Sequence, residues 1–397
     1  MLTIGLVNVQ VNMCYTAFAD SIESIMRYTM GLNCGIVGLP NVGKSTIFSA
    51  LTAAPAEVAN YPFCTIDPNV GIVSVPDSRL DKIVALIPPA KVVPATFEFV
   101  DIAGLVAGAS KGEGLGNRFL ASIREVGVIA HVVRCFDNSD IVHVNNKIDP
   151  EDDIETINIE LALADLDTVN NRIAKQTKLT RVNKEAQKEA EKVLPLLHRL
   201  RECLEQGKPG RSLALEDEEL ALVHDLHLIT LKPVIYVCNV DEEGILEDNE
   251  YVKIVKRRAE TEHAQVVVIC GKIESEIAVL ETDEEKREFL EAVGLEESGL
   301  NQLIRSAYHI LGMRTFFTAG SDEDRAWTFR SGYKAPQAAG VIHSDFERGF
   351  IKAEVYNCED LFTYKTEQKV REAGKLRMEG KEYVVKDGDI MHFRFNV

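Results

Sequence analysis

A segment near residue 40 has the residue types and the spacing of a phosphate-binding loop. The segment Gly38-Leu-Pro-Asn-Val-Gly-Lys-Ser45 fits the pattern Gly-x-x-x-x-Gly-Lys-Ser/Thr without a gap. A strand-like run starts at Asn33 before it, and a segment with helical periodicity runs from Lys44 to about Leu51 after it. Glycines let the backbone wrap a phosphate chain, and the amides of a helix N-terminus bind it. We therefore expect Lys44 to neutralise the β- and γ-phosphates of a nucleoside triphosphate, and the Ser45 hydroxyl to bind Mg²⁺.

Two further segments carry groups that could complete a site for Mg²⁺ and the γ-phosphate. Asp101-Ile-Ala-Gly104 lies at the end of the strand-like run Thr96–Val100. An aspartate there can hold Mg²⁺ through water, and the Gly104 amide can meet the γ-phosphate. The Gly-rich residues 105–116 are either a switch loop or a plain flexible loop. Thr65 is either a further Mg²⁺ ligand or an ordinary turn threonine.

A later segment should read the nucleotide base. Asn239 and Glu242 form Asn-x-x-Glu, where guanine-specific proteins have Asn-Lys-x-Asp, whose aspartate accepts from two guanine N–H groups. Asp241 has the required spacing only if Cys238 takes the place of the asparagine, so we prefer Asn239 as the anchor. The next strand-like run ends in Cys-Gly-Lys272, where many such proteins have Ser-Ala-Lys. The guanine clamp is altered at both places, which puts a preference for GTP in doubt.

The residue that would orient the attacking water is not evident from the motifs. Ras-like proteins have a glutamine after Asp-x-x-Gly, and here that place is Leu105, which cannot hydrogen-bond through its side chain. Our candidate is His143, because a neutral imidazole could orient water. The alternative is that His143 is an ordinary loop or core histidine.

The order of elements predicts an α/β fold with a parallel sheet and right-handed helical crossovers. Further buried strands are expected in the short apolar runs at 128–136, 233–239 and 265–270. The segment at about 155–228, between the runs at 128–136 and 233–239, has no strand signal and is expected to form a helical hairpin or coiled-coil arm that contains Pro195. Its apolar residues at helical spacing include Ile159, Leu163, Leu166 and Val169.

The chain after residue 305 is expected to form a separate small α+β domain. Strand-like runs are predicted at 314–318, 326–329, 350–355 and 381–385, followed by a turn and a closing strand within 386–395. We therefore predict a leader at 1–29, a G domain in two parts at 30–154 and 229–305, a helical arm at 155–228 and the small domain at 306–397. Met30 directly precedes the first patterned strand, so we interpret the leader as a segment that an early start could have added.

The charge distribution limits the possible partners. The 397 residues include 62 acidic and 44 basic side chains, for a net charge of -18, which excludes a surface that is basic all over. Residues 172–211 nevertheless contain 11 Lys or Arg against 5 Glu, a local net charge of +6. Such a basic arm suits RNA or ribosome contact, or it is simply a solvated helix face.

Cysteine usage and hydropathy favour a cytoplasmic protein. None of the eight cysteines forms a Cys-x-x-Cys pair, so the thiols are expected to be reduced and mostly structural. No apolar run reaches the roughly 20 residues that a membrane span needs, and we expect no membrane partner.

The motifs together resemble the YchF family, a branch of the Obg-related P-loop proteins. The resemblance covers about residues 30 to 397. It rests on the phosphate loop, on Asn-x-x-Glu and on further segments: Asn60-Tyr-Pro-Phe-Cys-Thr65, Asp101-Ile-Ala-Gly-Leu-Val106, Lys111-Gly-Glu-Gly-Leu-Gly116, Phe317-Thr-Ala-Gly320, Arg325-Ala-Trp327, Ala335-Pro-Gln-Ala-Ala-Gly340 and Asp387-Gly-Asp389. Asp241 and Lys272 depart from the family pattern and could alter base selectivity.

The resemblance implies a P-loop NTPase G domain interrupted by the helical arm, followed by a C-terminal TGS domain of β-grasp type. It implies hydrolysis of ATP in preference to GTP, with Mg²⁺ as the cofactor. It also implies nucleotide contacts from Asn41, Val42, Gly43, Lys44, Ser45 and Thr46, Mg²⁺ ligation by Ser45 and Thr65, and a base contact through the backbone of Val240. The implied partner is the ribosome, as large subunit and 70S particle, touched through rRNA or ribosomal protein by the arm and the TGS domain. Two alternatives stay open: a GTP-preferring Obg-like translation GTPase, and a nucleotide-gated protein-binding regulator whose hydrolysis is incidental.

Overall fold

The protein is described from a computed structural model, which covers residues 31–53, 69–102, 115–139, 147–180 and 184–396. The chain divides into two compact units. The first unit contains the described residues up to Gly71 together with Glu98–Leu311. The second unit contains Ile72–Phe97 and the chain from Gly312 onward.

The strands of the described ranges are, in chain order, β1 (Asn33–Val37), β2 (Val70–Ser74), β3 (Lys91–Val93), β4 (Thr96–Asp101), β5 (Val128–Arg134), β6 (Val234–Asn239), β7 (Gln265–Ile269), β8 (Met313–Thr318), β9 (Glu323–Arg330), β10 (Phe350–Asn357), β11 (Arg377–Glu379) and β12 (Asp389–Phe395).

The helices of the same ranges are α1 (Lys44–Thr52), α2 (Ser78–Leu86), α3 (Leu115–Glu125), α4 (Pro150–Leu179), α5 (Lys184–Glu205), α6 (Asp217–Val223), α7 (Glu250–Glu262), α8 (Gly271–Ala278), α9 (Asp283–Ala292), α10 (Gly299–Ile310), α11 (Ala335–Ile342), α12 (Ser344–Arg348), α13 (Cys358–Tyr364) and α14 (Glu367–Glu372).

One six-stranded sheet has the order β2-β4-β1-β5-β6-β7, and most of its residues belong to the first unit. Strands β4, β1, β5, β6 and β7 pair in parallel. Every residue of β5 and β6 is buried, as continuous apolar runs require in a parallel sheet that is covered on both faces. The predicted α/β fold with buried parallel strands is confirmed.

The parallel arrangement brings the predicted functional segments to one edge of this sheet. Carboxyl ends of parallel strands share an edge, and ligands of open α/β sheets bind there. The loops that follow β1, β4, β6 and β7 all start at that edge. They carry the phosphate loop, Asp101, Asn239 and Lys272.

The predicted helical arm consists of two long helices that pack against each other. Helix α4 has 30 residues, about 45 Å at 1.5 Å per residue. It begins at Pro150, where the Asp149 side chain accepts a hydrogen bond from the Asp152 amide, a favourable N-terminus because proline is tolerated in the first turn. The apolar faces of α4 and α5 share one cluster of buried side chains that includes Val169, Leu197 and Leu200.

Two details of the arm differ from the sequence prediction. Helix α5 continues through Pro195, which therefore does not interrupt the arm. Ile159 was expected on the buried face but is 40% exposed. Near the start of the helix Ile157 and Leu161 are buried instead, while Val169 of the predicted set is buried as expected.

A buried ionic cluster attaches the base of the arm to the sheet. We call it the arm-base cluster, and it consists of Asn158, Arg211, Tyr236, Arg258 and Glu262. The Glu262 carboxylate accepts hydrogen bonds from Arg211 at 2.7 Å, from Arg258 at 2.6 Å and from the Tyr236 hydroxyl at 2.8 Å. Arg211 also donates to the Asn158 side chain at 3.2 Å. One carboxylate thus joins the arm, strand β6 and helix α7.

The second unit contains a mixed sheet in the order β11-β10-β12-β8-β9-β3. Hairpin β8–β9 is antiparallel, and β12 lies parallel to β8. Helix α11 covers the sheet, and its Ala338 and Ala339 share a core cluster with Phe316, Val355 and Met391. Short alanine side chains let this helix approach the sheet closely.

The second unit also includes a segment from the first half of the chain. Arg79 of α2 pairs with Asp387 at 2.7 Å, and its guanidinium lies 5.4 Å from the centroid of the Phe317 ring. The same carboxylate accepts from the Thr315 amide at 2.8 Å. These contacts give Asp387-Gly-Asp389 a structural role within this unit and explain why residues 72–97 group with it.

Several local predictions for these regions need correction. Lys381–Val385 is not a strand but forms one isolated antiparallel bridge, Lys334 with Val384, in which the Val385 amide donates to the Tyr333 carbonyl and the Ala335 amide to the Tyr383 carbonyl. Strands β2, β3 and β11 were not predicted. The predicted boundary at 305/306 falls inside α10, whose residues belong to the first unit.

Two further observations concern the cysteines and the helices of the described ranges. All six cysteines in the described ranges are buried and free of disulfides: Cys34, Cys135, Cys203, Cys238, Cys270 and Cys358. None of the described helices is long and apolar enough to cross a membrane.

Candidate nucleotide-binding site

The phosphate loop occupies residues 38–43, between β1 and α1, as the motif predicts. Asn41 and Gly43 both have left-handed backbones, with φ of 63° and 98°. A Cβ atom at Gly43 would lie 2.2 Å from the Asn239 side-chain nitrogen. Glycine is therefore required at this position for two independent reasons, its backbone angle and the close approach of Asn239.

Lys44 is buried at the start of α1. Its side chain is folded back, and its Nζ donates a hydrogen bond to the Leu39 carbonyl at 2.6 Å, within the loop itself. Burial lowers the pKa of Lys44, and the nearby Asp101 carboxylate opposes that shift. The ammonium group is thus held in a low-dielectric setting beside the loop, where its charge acts strongly on a bound anion.

The hydroxyl residues of the first turn of α1 face outward. Ser45 and Thr46 are exposed, whereas Val42 and Lys44 next to them are buried. The N-cap of α1 is Gly43, which has no side chain to cover the helix end. This helix N-terminus is therefore suited to an anion, whose charge the helix dipole favours.

Asp101 lies beside the phosphate loop at the end of β4, paired in register with Ile36 of β1. Burial raises the pKa of Asp101, and the Lys44 charge opposes that shift. In the described ranges no group of three or more His, Cys, Asp or Glu side chains could hold a metal ion. Mg²⁺ in nucleotide sites usually takes only one or two protein ligands, with water and phosphate oxygens completing the shell. The exposed Ser45 hydroxyl and the Asp101 carboxylate fit that donor set.

Asn239 joins the phosphate loop to the loop after β7. Its side-chain nitrogen donates to the Val42 carbonyl at 2.9 Å, and its side-chain oxygen accepts from the Gly271 amide at 3.1 Å. The side chain is almost fully buried, with 5% exposed. Asn239 therefore positions both loops.

The two acids after Asn239 differ in their partners. Asp241 accepts a hydrogen bond from the Gly244 amide at 2.9 Å and thereby caps its own turn. Glu242 instead forms an ion pair with Lys272 from the start of α8. The hydrogen bond from Lys272 lowers the pKa of Glu242, and the same bond raises the pKa of Lys272. Val240, between Asn239 and Asp241, is buried, and its amide donates to the Ile269 carbonyl at 2.8 Å.

Three predicted site residues lie outside the described ranges. They are Thr65, Gly104 and His143. Their assignments as Mg²⁺ ligand, γ-phosphate contact and water-orienting residue stay predictions.

Some contacts of the site had no signal in the motifs. The Gly271 amide and the Leu39 carbonyl act through the backbone, which no side-chain pattern reveals. Lys272 stood out in the sequence only as an unusual residue at its position, and its partner Glu242 is 30 residues away.

Replacing Asn239 with alanine is expected to weaken the binding of ATP and GTP together. The change removes both hydrogen bonds and leaves a buried carbonyl and a buried amide without partners, at a cost of about 1–3 kcal/mol. Titration of each nucleotide against the variant measures the loss. Asn249→Ala is the matched control, because Asn249 donates to the Cys135 carbonyl at 2.8 Å and does not touch the phosphate loop. Equal losses in the two variants would contradict a specific role for Asn239.

Comparison with protein-family models identifies both ends of the chain. The model MMR_HSR1, described as 50S ribosome-binding GTPase, matches residues 33–184. The model YchF-GTPase_C, described as a protein of unknown function, matches residues 313–396.

Curated relatives match over almost the whole chain. The ribosome-binding ATPase YchF of Bacillus subtilis (strain 168) is 57% identical over 370 residues, which are 93% of this chain and 100% of the relative. The proteins of that name from Haemophilus influenzae and Escherichia coli O157:H7 are 56% and 54% identical over 368 residues, with the same coverage. The chain belongs to the YchF family.

A solved YchF structure has the same fold. The Schizosaccharomyces pombe YchF GTPase superimposes with a TM-score of 0.82 at 39% identity, over 92% of this chain and 98% of that chain. The predicted family and fold class are therefore confirmed. The names of the YchF relatives differ in the nucleotide, since the bacterial proteins are called ATPases and the yeast protein a GTPase.

Proposed function

We propose that this chain is an ATPase that hydrolyses ATP to ADP and phosphate with Mg²⁺ and acts as a nucleotide-dependent switch on the ribosome. The observation that carries the nucleotide assignment is the base side of the site. Asn239 anchors the phosphate loop there, and a Glu242–Lys272 ion pair stands where a guanine-specific protein has a free aspartate.

The residues at the sheet edge supply what phosphoryl transfer requires, namely positioning and charge neutralisation. The phosphate-loop amides and Lys44 hold the β- and γ-phosphates, and Thr46 and Asn41 border them. Ser45, Thr65 and Asp101 would hold Mg²⁺, which when bound neutralises charge on the phosphate oxygens. Gly104 is proposed to contact the γ-phosphate.

The attacking water needs an orienting group, and Leu105 cannot provide one. We assign this role to His143 as a positioning residue. Turnover of His143→Ala should then fall while its nucleotide affinity is retained.

The choice of nucleotide is tested by titrating the unmodified protein with ATP and with GTP. ATP should bind more tightly, because the Glu242 carboxylate is occupied by Lys272 and offers guanine an incomplete acceptor. A preference for GTP would instead support a GTPase, which is the activity named in the matched family description and in the name of the Schizosaccharomyces pombe relative. A turnover assay with and without ribosomes then separates a ribosome-dependent ATPase from a protein-binding regulator, since only the first is stimulated.

The ribosome is proposed as the partner because the bacterial relatives carry it in their name and because the arm is basic. Lys175, Lys178, Lys184, Lys188 and Lys192 are all exposed along the arm. Lys184, Lys188 and Lys192 are spaced by four residues on α5, so they lie along one helix face. That row suits the phosphates of rRNA, with the 50S subunit and the 70S particle as the expected targets and the C-terminal domain as a second contact.

Reversing the charge of the α5 row is expected to weaken ribosome binding by at least about tenfold at moderate salt, because each lost phosphate contact also lowers the salt-dependent part of the affinity. The variant is Lys184→Glu with Lys188→Glu and Lys192→Glu, measured by co-sedimentation with ribosomes. The matched control reverses Lys253, Lys256 and Lys286, which lie outside the arm in the same unit. Unchanged binding of the α5 variant would show that the arm does not make the contact.

A further inference from the structure

Helix α9 lies on the surface of the first unit and buries none of its ten residues. Its N-terminus is fixed locally by a capping box. The Thr282 hydroxyl accepts from the Glu285 amide at 3.2 Å, and the Glu285 carboxylate accepts from the Thr282 amide at 3.0 Å. Most helices in proteins owe their stability to the packing of one face, so a capped helix without a buried residue is a surface that a partner can still cover.

Two exposed apolar side chains flank this helix. Val279, four residues before α9, is 77% exposed, and Leu246 is 62% exposed. They are the most exposed large apolar side chains of the described ranges. Leu246 lies beside the end of α9, because its Cδ2 atom is 3.4 Å from the place of a Cβ atom at Gly294. Apolar groups gathered at one exposed place with a polar surround indicate an interaction surface.

The outward face of α9 carries a row of carboxylates, which we call the α9 row. It consists of Glu284, Glu288 and Glu291, which are all exposed and whose helical spacing places them on one face. None of the three has a side-chain partner among the described residues. Residues 281–297 contain 8 acidic and 2 basic side chains, a local net charge of -6. Such a face repels the phosphates of RNA and attracts a basic protein surface.

The arm of the same chain has a basic face of matching size. The α5 row, Lys184, Lys188 and Lys192, is exposed, and within the described ranges no carboxylate pairs with it. The α5 row extends about 12 Å along its helix and the α9 row about 10 Å, at 1.5 Å per residue. The net charge of +6 over residues 172–211 is equal and opposite to that of residues 281–297. The chain therefore contains two helix faces that are complementary in charge and in length.

We propose that α9 binds the α5 row of a second copy of this chain, with Leu246 and Val279 as apolar contacts at the ends of the helix. Each copy has both faces, so a symmetric pair contains the contact twice. An exposed ion pair contributes at most about 1 kcal/mol, so the association is weak, reversible and reduced by salt. The inference is independent of the nucleotide site. It has a consequence for regulation, because an α5 row that binds a second copy cannot bind the phosphates of rRNA at the same time.

The test is sedimentation velocity of the full chain over a series of protein concentrations, at about 50 mM and about 300 mM salt. The unmodified protein should self-associate at the lower salt concentration and dissociate at the higher one. Replacing each glutamate of the α9 row with lysine (Glu284→Lys, Glu288→Lys and Glu291→Lys) should weaken the association at least about tenfold, because like charges then meet. Reversing the α5 row with three Lys→Glu changes should have the same effect.

A mixture of the two variants is the decisive measurement. In an equimolar mixture each lysine row meets a glutamate row of the other variant, so the association should return. The matched control is Glu347→Lys with Glu359→Lys and Glu372→Lys, three exposed acids of the second unit. This control changes the net charge by the same amount as the α9 variant and should associate at least as well as the unmodified protein. Both row variants should keep the melting temperature and the rate of ATP hydrolysis of the unmodified protein, which shows that they are folded.

Three results would each overturn the inference. The first is an unmodified protein that stays a single copy at the lower salt concentration. The second is an association that persists when either row is reversed. The third is a mixture of the two variants that does not associate, which would leave the α9 surface to a different basic protein.

Discussion

Lys44→Met is expected to lower the rate of ATP hydrolysis by about 10²- to 10³-fold at saturating ATP, the loss typical of removing one preorganised charge-stabilising group. Lys44 is buried beside the phosphate loop and close to Asp101. Its charge therefore acts on the transferring phosphoryl group through protein and not through water, where the interaction would be weak. Methionine fills a similar volume without the charge, so the loop should keep its shape. Phosphate release at a series of ATP concentrations measures the change in kcat.

The control for Lys44→Met is another buried lysine. Lys232 is 7% exposed and donates to the Arg124 carbonyl at 2.7 Å, away from the phosphate loop. Lys232→Met should reduce stability, while the molecules that remain folded should hydrolyse ATP at the unmodified rate. Thermal melting of both variants gives the folded fraction. A kcat for Lys44→Met within a few-fold of the unmodified value would contradict the role assigned to Lys44.

Glu262→Gln is expected to lower the free energy of unfolding of the first unit by about 3–5 kcal/mol, the usual cost of removing one partner from a buried ion pair. The Arg211 and Glu262 side chains are 7% and 5% exposed. Glutamine cannot neutralise Arg211 and Arg258, so the buried Arg211 charge and the partly buried Arg258 charge would both lose this partner. Urea unfolding followed by far-ultraviolet circular dichroism is the suitable measurement. Fluorescence is not, because the single tryptophan, Trp327, belongs to the second unit.

The acid sensitivity of the same carboxylate gives a second readout of this prediction. Burial acts to raise the pKa of Glu262. The charge and hydrogen bond of Arg211, followed by the hydrogen bonds of Arg258 and Tyr236, outweigh burial, so the folded-state pKa lies below the usual value. A depressed carboxyl pKa contributes stability above the unfolded-state pKa, about 4.3 for glutamate, and that stability is lost as the pH falls through the folded-state pKa. The unmodified protein should therefore lose part of its stability below about pH 4.3, and Glu262→Gln should lack that part of the pH dependence.

An exposed ion pair is the control for the buried one. Arg199 and Glu219 pair at the surface, with side chains 49% and 28% exposed. Glu219→Gln should cost no more than about 1 kcal/mol, since exposed pairs contribute little to stability. Similar losses for Glu262→Gln and Glu219→Gln would contradict a structural role for the arm-base cluster.

Short-range patterns were sufficient for much of the fold and for the phosphate side of the site. The strand before the phosphate loop, the helix that starts at Lys44 and the strand ending at Asp101 lie where the sequence predicts them. These elements are specified locally, by continuous apolar runs for buried strands and by glycines where the backbone must adopt left-handed angles. The helical arm was likewise predicted from its periodicity, but its bounds were not. Of the predicted apolar residues, Val169 is buried and Ile159 is 40% exposed, so periodicity alone did not show which residues are buried near the start of the helix.

Weak local signals account for the strands that were not predicted. Strands β3 and β11 have only three residues each, too few to show a period. Lys381–Val385 has a strand-like composition, but its backbone hydrogen bonds are made with residues near Tyr333 and Ala335. Residues 72–97 join the second unit through Arg79 and Asp387, which are 308 residues apart. No short segment of the sequence contains both residues, so no local pattern could predict their pairing.

The sequence by itself determined that this chain binds a nucleoside triphosphate on an α/β sheet, because a phosphate loop consists of consecutive residues whose types act directly on phosphate. Only the tertiary structure decided how the base side is arranged. Asn239 spans from Val42 to Gly271, and Glu242 pairs with Lys272, because the order and register of β6 and β7 bring these distant loops to one edge. Glu262 acquires its partners in the same way, from the arm, from β6 and from its own helix. Side-chain partners of this kind depend on which strands are neighbours, and that is a property of the folded chain and not of any one segment.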